Sequence, residues 1–386
     1  MVSISCSGKF HAFALAEQLE RHGLLNRLYT SFAQPVNTLA SRFVSRVDKE
    51  QIPSGKFSTL VPVAAMMKAG VPPHIYNDIF DRWVAGRLKD EDAFRIFVGW
   101  SGMSLRAIEK AKALGRVAVV DRGSSHILHQ EGIMHEEYKR FGIDFSIHPK
   151  TKAVELAEYE VSDYISIPSL FVKRSFLEYG IPEEKLVMNP YGVSSFFKKD
   201  EAVWQPRGNK PLRVLYVGSL LIRKGLIYLF EALKKLPDNS YEAWFIGKVD
   251  QEMKSTVDKY AQDNWKFFGH VNHYDLASHI SACDVAVHPS LQEGLSMVIP
   301  QILTCGVPMI ATTNSGGEDV IEEGKTGFII PIRDPDAIAQ RIQQLNEDRD
   351  LLEQMKTAAA QTTSRDHSWN AYGDRWAEWV RGVLNC

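Results

Sequence analysis

The sequence predicts an α/β protein of two domains, each built around a parallel β-sheet. The chain has 386 residues, and single domains usually contain about 100–200. Short apolar runs alternate with amphipathic segments along the chain, as in successive strand–helix–strand units. A polar segment with proline and glycine, residues 204–211, separates two such regions. We therefore expect a first domain over residues 1–205, a second over 211–366 and a terminal segment over 367–386.

The first region opens with an apolar run at residues 2–6, followed by a loop of Ser7 and Gly8. Apolar residues at helical spacing then predict a helix that ends near Gly23. Between Gln34 and Asp90 the pattern indicates only helices, around residues 64–67 and 75–83. The strands predicted for this region are residues 2–6, 27–30, 96–100, 117–120, 164–167 and 186–188.

In the second region the alternation of strands and helices is clearer. The predicted strands are residues 213–217, 243–246, 266–268, 285–288, 308–311 and 327–330. Helices are expected between them, for example at residues 226–235 and 276–282. A final helix, at roughly residues 370–384, carries Trp376, Trp379 and Val380 on one side.

The composition argues against several classes of protein. Lys and Arg total 45 against 47 Asp and Glu, so the net charge of −2 disfavours a broad nucleic-acid-binding surface and leaves only a local basic patch open. The cysteines form no C-x-x-C pair, which predicts free thiols in a reducing cytoplasm. They are Cys6, Cys283, Cys305 and Cys386. The chain shows neither a secretory signal nor an apolar run of about 18 residues, and contact with the inner face of a membrane stays open.

Three polar loops of the second region follow predicted strands. The first, GSLLIRKG at residues 218–225, directly precedes a helix. Glycines let the backbone turn sharply, and a helix N-terminus offers N–H groups that suit a phosphate. Arg223 and Lys224 add positive charge at the same place. A solvated turn with two exposed cations is the competing interpretation.

The second loop, HPSLQEGL at residues 288–295, places Glu293 just before a glycine at a strand end. Open α/β folds bind ligands at this edge. If a helix begins near Ser296, Gln301 lies in its second turn, where its amide and the Glu293 carboxylate can bond sugar or ribose hydroxyls. A surface glutamate and an unrelated glutamine are the simpler alternative.

The third loop, NSGGE at residues 314–318, also lies between a strand and a helix. Its small residues allow backbone amides to face a phosphate or a carboxylate. An ordinary glycine-rich loop would have the same composition. Because all three loops follow strands of one domain, we expect them to meet at one edge of one sheet.

The order of these motifs resembles the retaining glycosyltransferases of family 4, which have the GT-B fold. The resemblance is carried by VGSLLIRKG, FFGHV, DVAVHPSLQEG, GVPMIAT, SGGEDVI and GKTGFIIP, in this order from residue 217 to 331. It implies two Rossmann-like domains that face a cleft, with a C-terminal helix that crosses back to the first domain.

The resemblance also implies roles for residues of the second domain. Lys224 would bind the donor diphosphate, and Glu293 would contact the donor sugar. Gln301 stands where the family usually has a ribose-binding glutamate, and Ser219 where it often has an arginine, which Arg223 would replace. Further donor-binding positions implied by the motifs are Gly218, Gly294, Leu295, Ser296, Met297, Val298, Gly316 and Gly317.

In the first domain the resemblance implies a glycine-rich loop at Gly8 and a histidine beside the transferred sugar. His126, which follows the predicted strand at residues 117–120, is the candidate for that histidine, with His129 and Arg122 as rivals. The predicted catalytic residues are therefore His126, Lys224 and Glu293. A histidine outside any metal-ligand spacing is more often structural.

These observations predict an enzyme that moves a sugar from a UDP- or GDP-sugar to a hydroxyl of a glycan or lipid-linked glycan, in polysaccharide biosynthesis. No cofactor and no metal are expected. Asp348 and Asp350 spell D-x-D only between two helix-like segments, and His270 and His273 are too few ligands. The alternatives are an inactive nucleotide-sugar-binding subunit, an epimerase or phosphorylase of the same fold, and a two-lobed sugar-binding protein.

Overall fold

The computed structural model describes residues 1–32, 52–208, 210–237, 239–361 and 367–385. The beginning of the poorly patterned stretch after Gln34, the end predicted for the second domain and Cys386 lie outside the described residues. The thiols of Cys6, Cys283 and Cys305 are free and buried.

The first domain is built on a seven-stranded sheet in which every neighbouring pair is parallel. Its strands are β1 (Val2–Cys6), β2 (Leu25–Thr30), β3 (Phe57–Thr59), β4 (Ile96–Trp100), β5 (Val117–Asp121), β6 (Tyr164–Ile167) and β7 (Leu186–Met188). The spatial order is β3-β2-β1-β4-β5-β6-β7. The order in which strands are added to the sheet therefore reverses between β1 and β4, and a crevice opens beyond the carboxyl ends of these two strands. Among the described strands of this domain, only β3, a short half-buried edge strand, was missed from the sequence.

Helices cover both faces of this sheet because successive strand residues point to opposite sides. Ile96 and Val98 of β4 join one apolar cluster, and Phe97 between them joins another. The helices are α1 (Ala12–Arg21), α2 (Val61–Lys68), α3 (Pro73–Ala85), α4 (Leu105–Ala113), α5 (Ile127–Arg140), α6 (Pro149–Val161) and α7 (Leu170–Glu178).

The second domain repeats this architecture with six parallel strands. They are β8 (Leu212–Val217), β9 (Tyr241–Ile246), β10 (Trp265–Gly269), β11 (Val285–His288), β12 (Met309–Thr312) and β13 (Gly327–Ile330), in the order β10-β9-β8-β11-β12-β13. The helices are α8 (Leu226–Leu233), α9 (Lys254–Tyr260), α10 (His273–Ser281), α11 (Val298–Thr304), α12 (Pro335–Glu347) and α13 (Arg349–Gln361). Helix α11 begins two residues later than the start expected at Ser296.

The last helix, α14 (Trp369–Asn385), packs on the first domain, as the resemblance implied. Its buried side chains Tyr372, Trp376 and Val380 belong to the apolar cluster that also contains residues of α1 and β1. The crossing is tight, because a Cβ atom on Gly192 would lie 2.4 Å from the backbone nitrogen of Trp369. The C-terminal segment therefore joins the two domains a second time. None of the helices within the described ranges is long and apolar enough to span a bilayer.

The substitution Trp376→Ala is expected to lower the free energy of unfolding by about 3–5 kcal/mol, because it removes a large buried side chain and leaves a cavity. Urea denaturation followed by circular dichroism measures the change. Leu384→Ala, at a side chain that is 40% exposed on the same helix, is the control and should change stability by less than about 0.5 kcal/mol. Equal effects of the two substitutions would contradict the packing of α14.

Candidate functional site

The loop after β8 is shaped by close backbone contacts. A Cβ atom on Gly247 would lie 1.9 Å from the carbonyl oxygen of Gly218, so the loops after β8 and β9 meet backbone to backbone. The loop then forms a single 3₁₀ turn, Ile222–Lys224. Gly225 ends this turn with a φ of +66°, and a Cβ there would lie 2.1 Å from the carbonyl oxygen of Pro289. Glycine is therefore needed to bring the turn against the end of β11.

This contact brings Lys224 and Arg223 to Glu293. The ammonium group of Lys224 donates a hydrogen bond to Oε1 of Glu293, and Nη1 of Arg223 lies 3.2 Å from the same oxygen. The hydroxyl of Ser290 also donates to Oε1, at 2.7 Å. The side chains of Lys224 and Glu293 are only 15% and 12% exposed. Three residues selected from two separate sequence motifs thus form one cluster.

The charges of this cluster do not cancel. Burial by itself raises the pKa of the Glu293 carboxyl, but Lys224 and Arg223 outweigh it and hold the pKa well below its usual range. Burial, opposed by Glu293, lowers the pKa of Lys224. Burial and Lys224 together lower the pKa of His288 to about 3, so this ring is neutral. Two cations facing one carboxylate leave one net positive charge, which suits an anionic ligand.

The third predicted loop packs against the second. The amide of Glu293 donates to the carbonyl of Asn314, and the amide of Ser296 donates to the carbonyl of Ser315, both at 3.0 Å. Gly316, at a φ of +74°, lies so close to Gly294 that a Cβ would come within 2.8 Å of its carbonyl oxygen. The amide of Ser296 is therefore engaged inside the protein and not directed at a ligand. Gly317 likewise donates to the hydroxyl of Ser315.

The remaining predicted positions of the second domain lie around this cluster. Leu295 is buried against Gly316. Met297 and Val298 lie at the beginning of α11, and Gln301 is half-buried in its first turns. Ser219 is exposed, and its carbonyl accepts a hydrogen bond from Tyr216. Their roles toward a donor stay predictions.

His126, the histidine selected in the first domain, is not brought to this cluster. It precedes α5, is 3% exposed, and stacks on Tyr179 with a centroid distance of 4.4 Å. Burial and Arg122 lower its pKa to about 4. Its rivals are engaged as well: Arg122 pairs with Glu155, and His129 pairs with Glu178. The chain turns away after β5, which directs His126 into the helix layer of the first domain.

A second histidine of the first domain, His11, lies at the carboxyl end of the first sheet. It lies just before α1, and its Nε2 atom is 3.0 Å from Oδ1 of Asp121, the last residue of β5. Ser166 donates to the other carboxylate oxygen at 2.9 Å. Trp100 and Tyr191 enclose the ring, with centroid distances of 4.8 and 4.3 Å. The sequence pattern that could have identified His11 is a histidine that follows the Gly8 loop after the first predicted strand.

The two domains touch beside His11. A Cβ on Gly294 would lie 2.1 Å from the carbonyl oxygen of Gly123, and a Cβ on Gly123 would lie 3.8 Å from Cε1 of His11. The amide of Gln292 donates to the hydroxyl of Ser124 at 2.6 Å. The hydroxyl of Ser169 donates to the carbonyl of Gly294 at 2.7 Å. The His11 ring and the Glu293 loop thus flank one segment of the closed cleft.

Within the described ranges, no group of three or more His, Cys, Asp and Glu side chains is arranged to hold a metal ion. The absence of a metal requirement stays a prediction.

The three loops lie in the part of the chain that matches a known protein family. The family described as "Glycosyl transferases group 1" matches residues 198–362, which contain all three loops. The chain is 24% identical over 216 residues to the putative colanic acid biosynthesis glycosyltransferase WcaL of Salmonella typhimurium, covering 53% of each chain. It is 31% identical over 176 residues to the alpha-D-kanosaminyltransferase of Streptomyces kanamyceticus, covering 44% of this chain and 45% of that protein. The chain therefore matches about half the length of these relatives.

The fold is shared more widely than the sequence. The structure of Anabaena HepE in complex with UDP superimposes with a TM-score of 0.70 at 15% identity, covering 99% of both chains. The likeness extends over both domains and establishes the GT-B fold for the whole chain.

The substitution Glu293→Gln is expected to flatten the dependence of stability on pH in the acid range. Although burial opposes it, the two cations keep the folded-state pKa of Glu293 below its unfolded value of about 4.3. A lowered folded-state pKa contributes stability above about pH 4.3 that is lost as the pH falls further.

Urea unfolding between about pH 3 and pH 7 measures this slope. Glu201→Gln, at an exposed carboxylate paired with Lys199, is the control and should keep the wild-type slope. A wild-type slope in Glu293→Gln would show that the cluster does not hold the carboxylate charged.

Proposed function

We propose that this protein, whose second domain belongs to the glycosyl transferases group 1 family, is a retaining glycosyltransferase. It moves a sugar from a nucleoside diphosphate sugar to a hydroxyl of a glycan or lipid-linked glycan. The observation that carries the proposal is the buried cluster of Lys224, Arg223 and Glu293 at the carboxyl edge of the second sheet. A cluster with one net positive charge suits a diphosphate, and its carboxylate suits sugar hydroxyls.

Departure of the nucleoside diphosphate builds negative charge on phosphate oxygens. Cations that are already in place stabilise this charge without reorganisation, which is often the largest contribution to catalysis. Lys224 and Arg223 are held in place by Glu293, so they meet this requirement. Gln292 and Gly294 contact the first domain beside this cluster, and a contact of this kind would limit the access of water to a reacting sugar.

His11 is the first-domain residue that we assign to the transferred sugar, in place of His126. With its proton on Nε2, which lies 3.0 Å from the Asp121 carboxylate, the ring carries a lone pair on Nδ1 that can accept a hydrogen bond from a hydroxyl. The His11 side chain does not cap α1, and Trp100 and Tyr191 pack against its ring.

Both UDP- and GDP-sugars are retained as candidate donors. The UDP bound to HepE favours UDP, and the colanic acid assignment of WcaL favours an acceptor in polysaccharide biosynthesis. We propose that no metal takes part and that the enzyme acts in the cytoplasm, at the inner face of the membrane when the acceptor is lipid-linked. The free thiols of Cys6, Cys283 and Cys305 support a reducing compartment.

A second candidate function is a nucleotide-sugar-binding subunit without activity. It is favoured by Ser219 and Gln301, which replace an arginine and a glutamate expected from the family resemblance. An amide can still bond a ribose hydroxyl, although with altered strength. Release of UDP or GDP after addition of an acceptor would exclude this candidate.

A thermal-stability screen against UDP, GDP and ADP, without metal, is expected to identify one nucleotide that raises the unfolding midpoint. At 100 times its Kd a ligand adds about 2.7 kcal/mol of stability. Lys224→Gln and Glu293→Gln should abolish the shift, because they remove the cluster.

The matched control for this screen is Lys235→Gln, which removes a lysine from an exposed ion pair with Asp336 and should keep the full shift. A well-folded protein that responds to none of the nucleotides would exclude the proposed donor class.

The substitution His11→Gln is expected to lower the rate of sugar transfer by about 10²-fold or more, which is typical of a lost positioned hydrogen-bonding group. Nucleotide affinity should stay the same, because His11 contacts the sugar and not the diphosphate. Steady-state kinetics with titration of the free nucleotide separate the two effects. His22→Gln, at a histidine paired with Asp374 on the surface, is the control. An unchanged turnover in His11→Gln would show that His11 does not act on the transferred sugar.

A further inference from the structure

Helix α5 of the first domain reaches across to the second domain. Its side chains Ile133 and Tyr138, together with Phe141 just after the helix, pack against the apolar core of the second domain. The helix also contacts the 3₁₀ turn Ile222–Lys224. An element of the first domain thus lies directly behind the turn that carries Arg223 and Lys224.

Glu252 connects Tyr138 to this turn. It lies in the 3₁₀ turn Gln251–Met253, in the segment that follows β9. Its Oε1 atom accepts a hydrogen bond from the backbone amide of Ile222 at 2.8 Å. The Tyr138 hydroxyl donates to the same carboxylate, at 3.1 Å to Oε1 and 2.9 Å to Oε2. One carboxylate therefore joins a first-domain hydroxyl to the first residue of the turn.

This carboxylate holds the first backbone amide of the turn. Ile222 opens the turn and is followed directly by Arg223 and Lys224. Burial and Glu252 both raise the pKa of the Tyr138 hydroxyl above its usual value. The hydroxyl is thus protonated and donates throughout the neutral range. Because Tyr138 belongs to the first domain, its hydrogen bond exists only while the domains are together.

We propose that Tyr138 is a positioning residue that acts through Glu252. It holds the Ile222–Lys224 turn in the geometry that presents Arg223 and Lys224 to the donor diphosphate when the domains close. The part that concerns the donor rests on the proposed function. The coupling between Tyr138 and the turn does not depend on it.

A second interdomain contact serves as a control. It separates an effect of Tyr138 on the turn from a general contribution to the association of the two domains. The hydroxyl of Tyr228, in α8, donates to Glu137 of α5 at 2.8 Å. Arg333 also binds Glu137, at 2.7 Å. The Tyr228 hydroxyl also accepts a hydrogen bond from Nη1 of Arg140 in α5 at 2.6 Å. Tyr228 therefore links the domains through more side-chain hydrogen-bond partners than Tyr138 does, but its hydroxyl does not contact the turn. Loss of either hydroxyl should weaken the association of the two domains, and only loss of the Tyr138 hydroxyl should loosen the Ile222–Lys224 turn.

The first test is amide hydrogen exchange, measured by mass spectrometry on the full chain without ligand. Tyr138→Phe is expected to speed exchange in a peptide that spans residues 219–226, because Glu252 loses the partner that fixes it. Tyr228→Phe should leave this peptide at the wild-type rate. Glu252→Gln retains an acceptor for Ile222 and should exchange more slowly than Glu252→Ala. Wild-type exchange in Tyr138→Phe, or equal acceleration in Tyr228→Phe, would overturn the coupling.

The second test is the affinity for UDP and for GDP, measured separately by calorimetry. Tyr138→Phe should weaken binding of the recognised nucleotide by about tenfold, as expected for a lost hydrogen bond to a charged group. Tyr228→Phe should weaken it less. Faster exchange with unchanged affinity would overturn the donor part of the proposal. If the wild type binds neither nucleotide, the proposed function fails, and the exchange experiment still decides the coupling.

Discussion

The structure depends on one buried carboxylate, Glu293, which two cations from a separate loop hold in its charged form. A charge removed from water must be paired closely, and this requirement constrains the surrounding backbone. Gly225 allows the turn with Lys224 to lie against the end of β11, and Gly316 allows the neighbouring loop to support Gly294. These glycines are needed for close approach as well as for turning. The same arrangement that satisfies Glu293 leaves a surplus positive charge at the ligand-binding edge of the sheet.

The second constraint is that the two domains share this edge. The contact between Gly123 and Gly294 leaves no room for a side chain. The loop that carries Glu293 is therefore separated from the His11 ring only by the backbone at Gly123. Helix α5 and helix α14 hold the domains together on other sides. A site assembled from both domains can respond to a change in their separation, because one of the hydrogen bonds behind Lys224 and Arg223 comes from the first domain. Tyr138 and Glu252 make this connection to the turn.

Most strands could be predicted because parallel sheets covered on both faces give short, continuous apolar runs. The strand β1 and the strands β4, β6, β7, β11 and β13 were predicted with the bounds observed. The strand β3 was not, since a three-residue edge strand that is half exposed carries too few apolar residues to form a pattern.

Lys224, Arg223 and Glu293 could be selected because glycine-rich turns after strands have a known position at the edge of the sheet. His126 was selected by its distance from β5 along the chain, which says nothing about where the side chain points.

The sequence by itself determined the fold class, the order of the strands along the chain, the three polar loops at strand ends of the second domain and the return of the last helix. These are local properties, or sums of local properties, and they follow from periodicity, glycine placement and motif order. Only the tertiary structure decided that His11 meets Asp121, that Lys224 and Arg223 share one carboxylate, and that Tyr138 reaches Glu252. Each of these contacts joins residues about 70 to 110 positions apart. Such pairings depend on how the sheets and domains pack, because no local pattern in a single chain records which distant side chain will complete a buried charge.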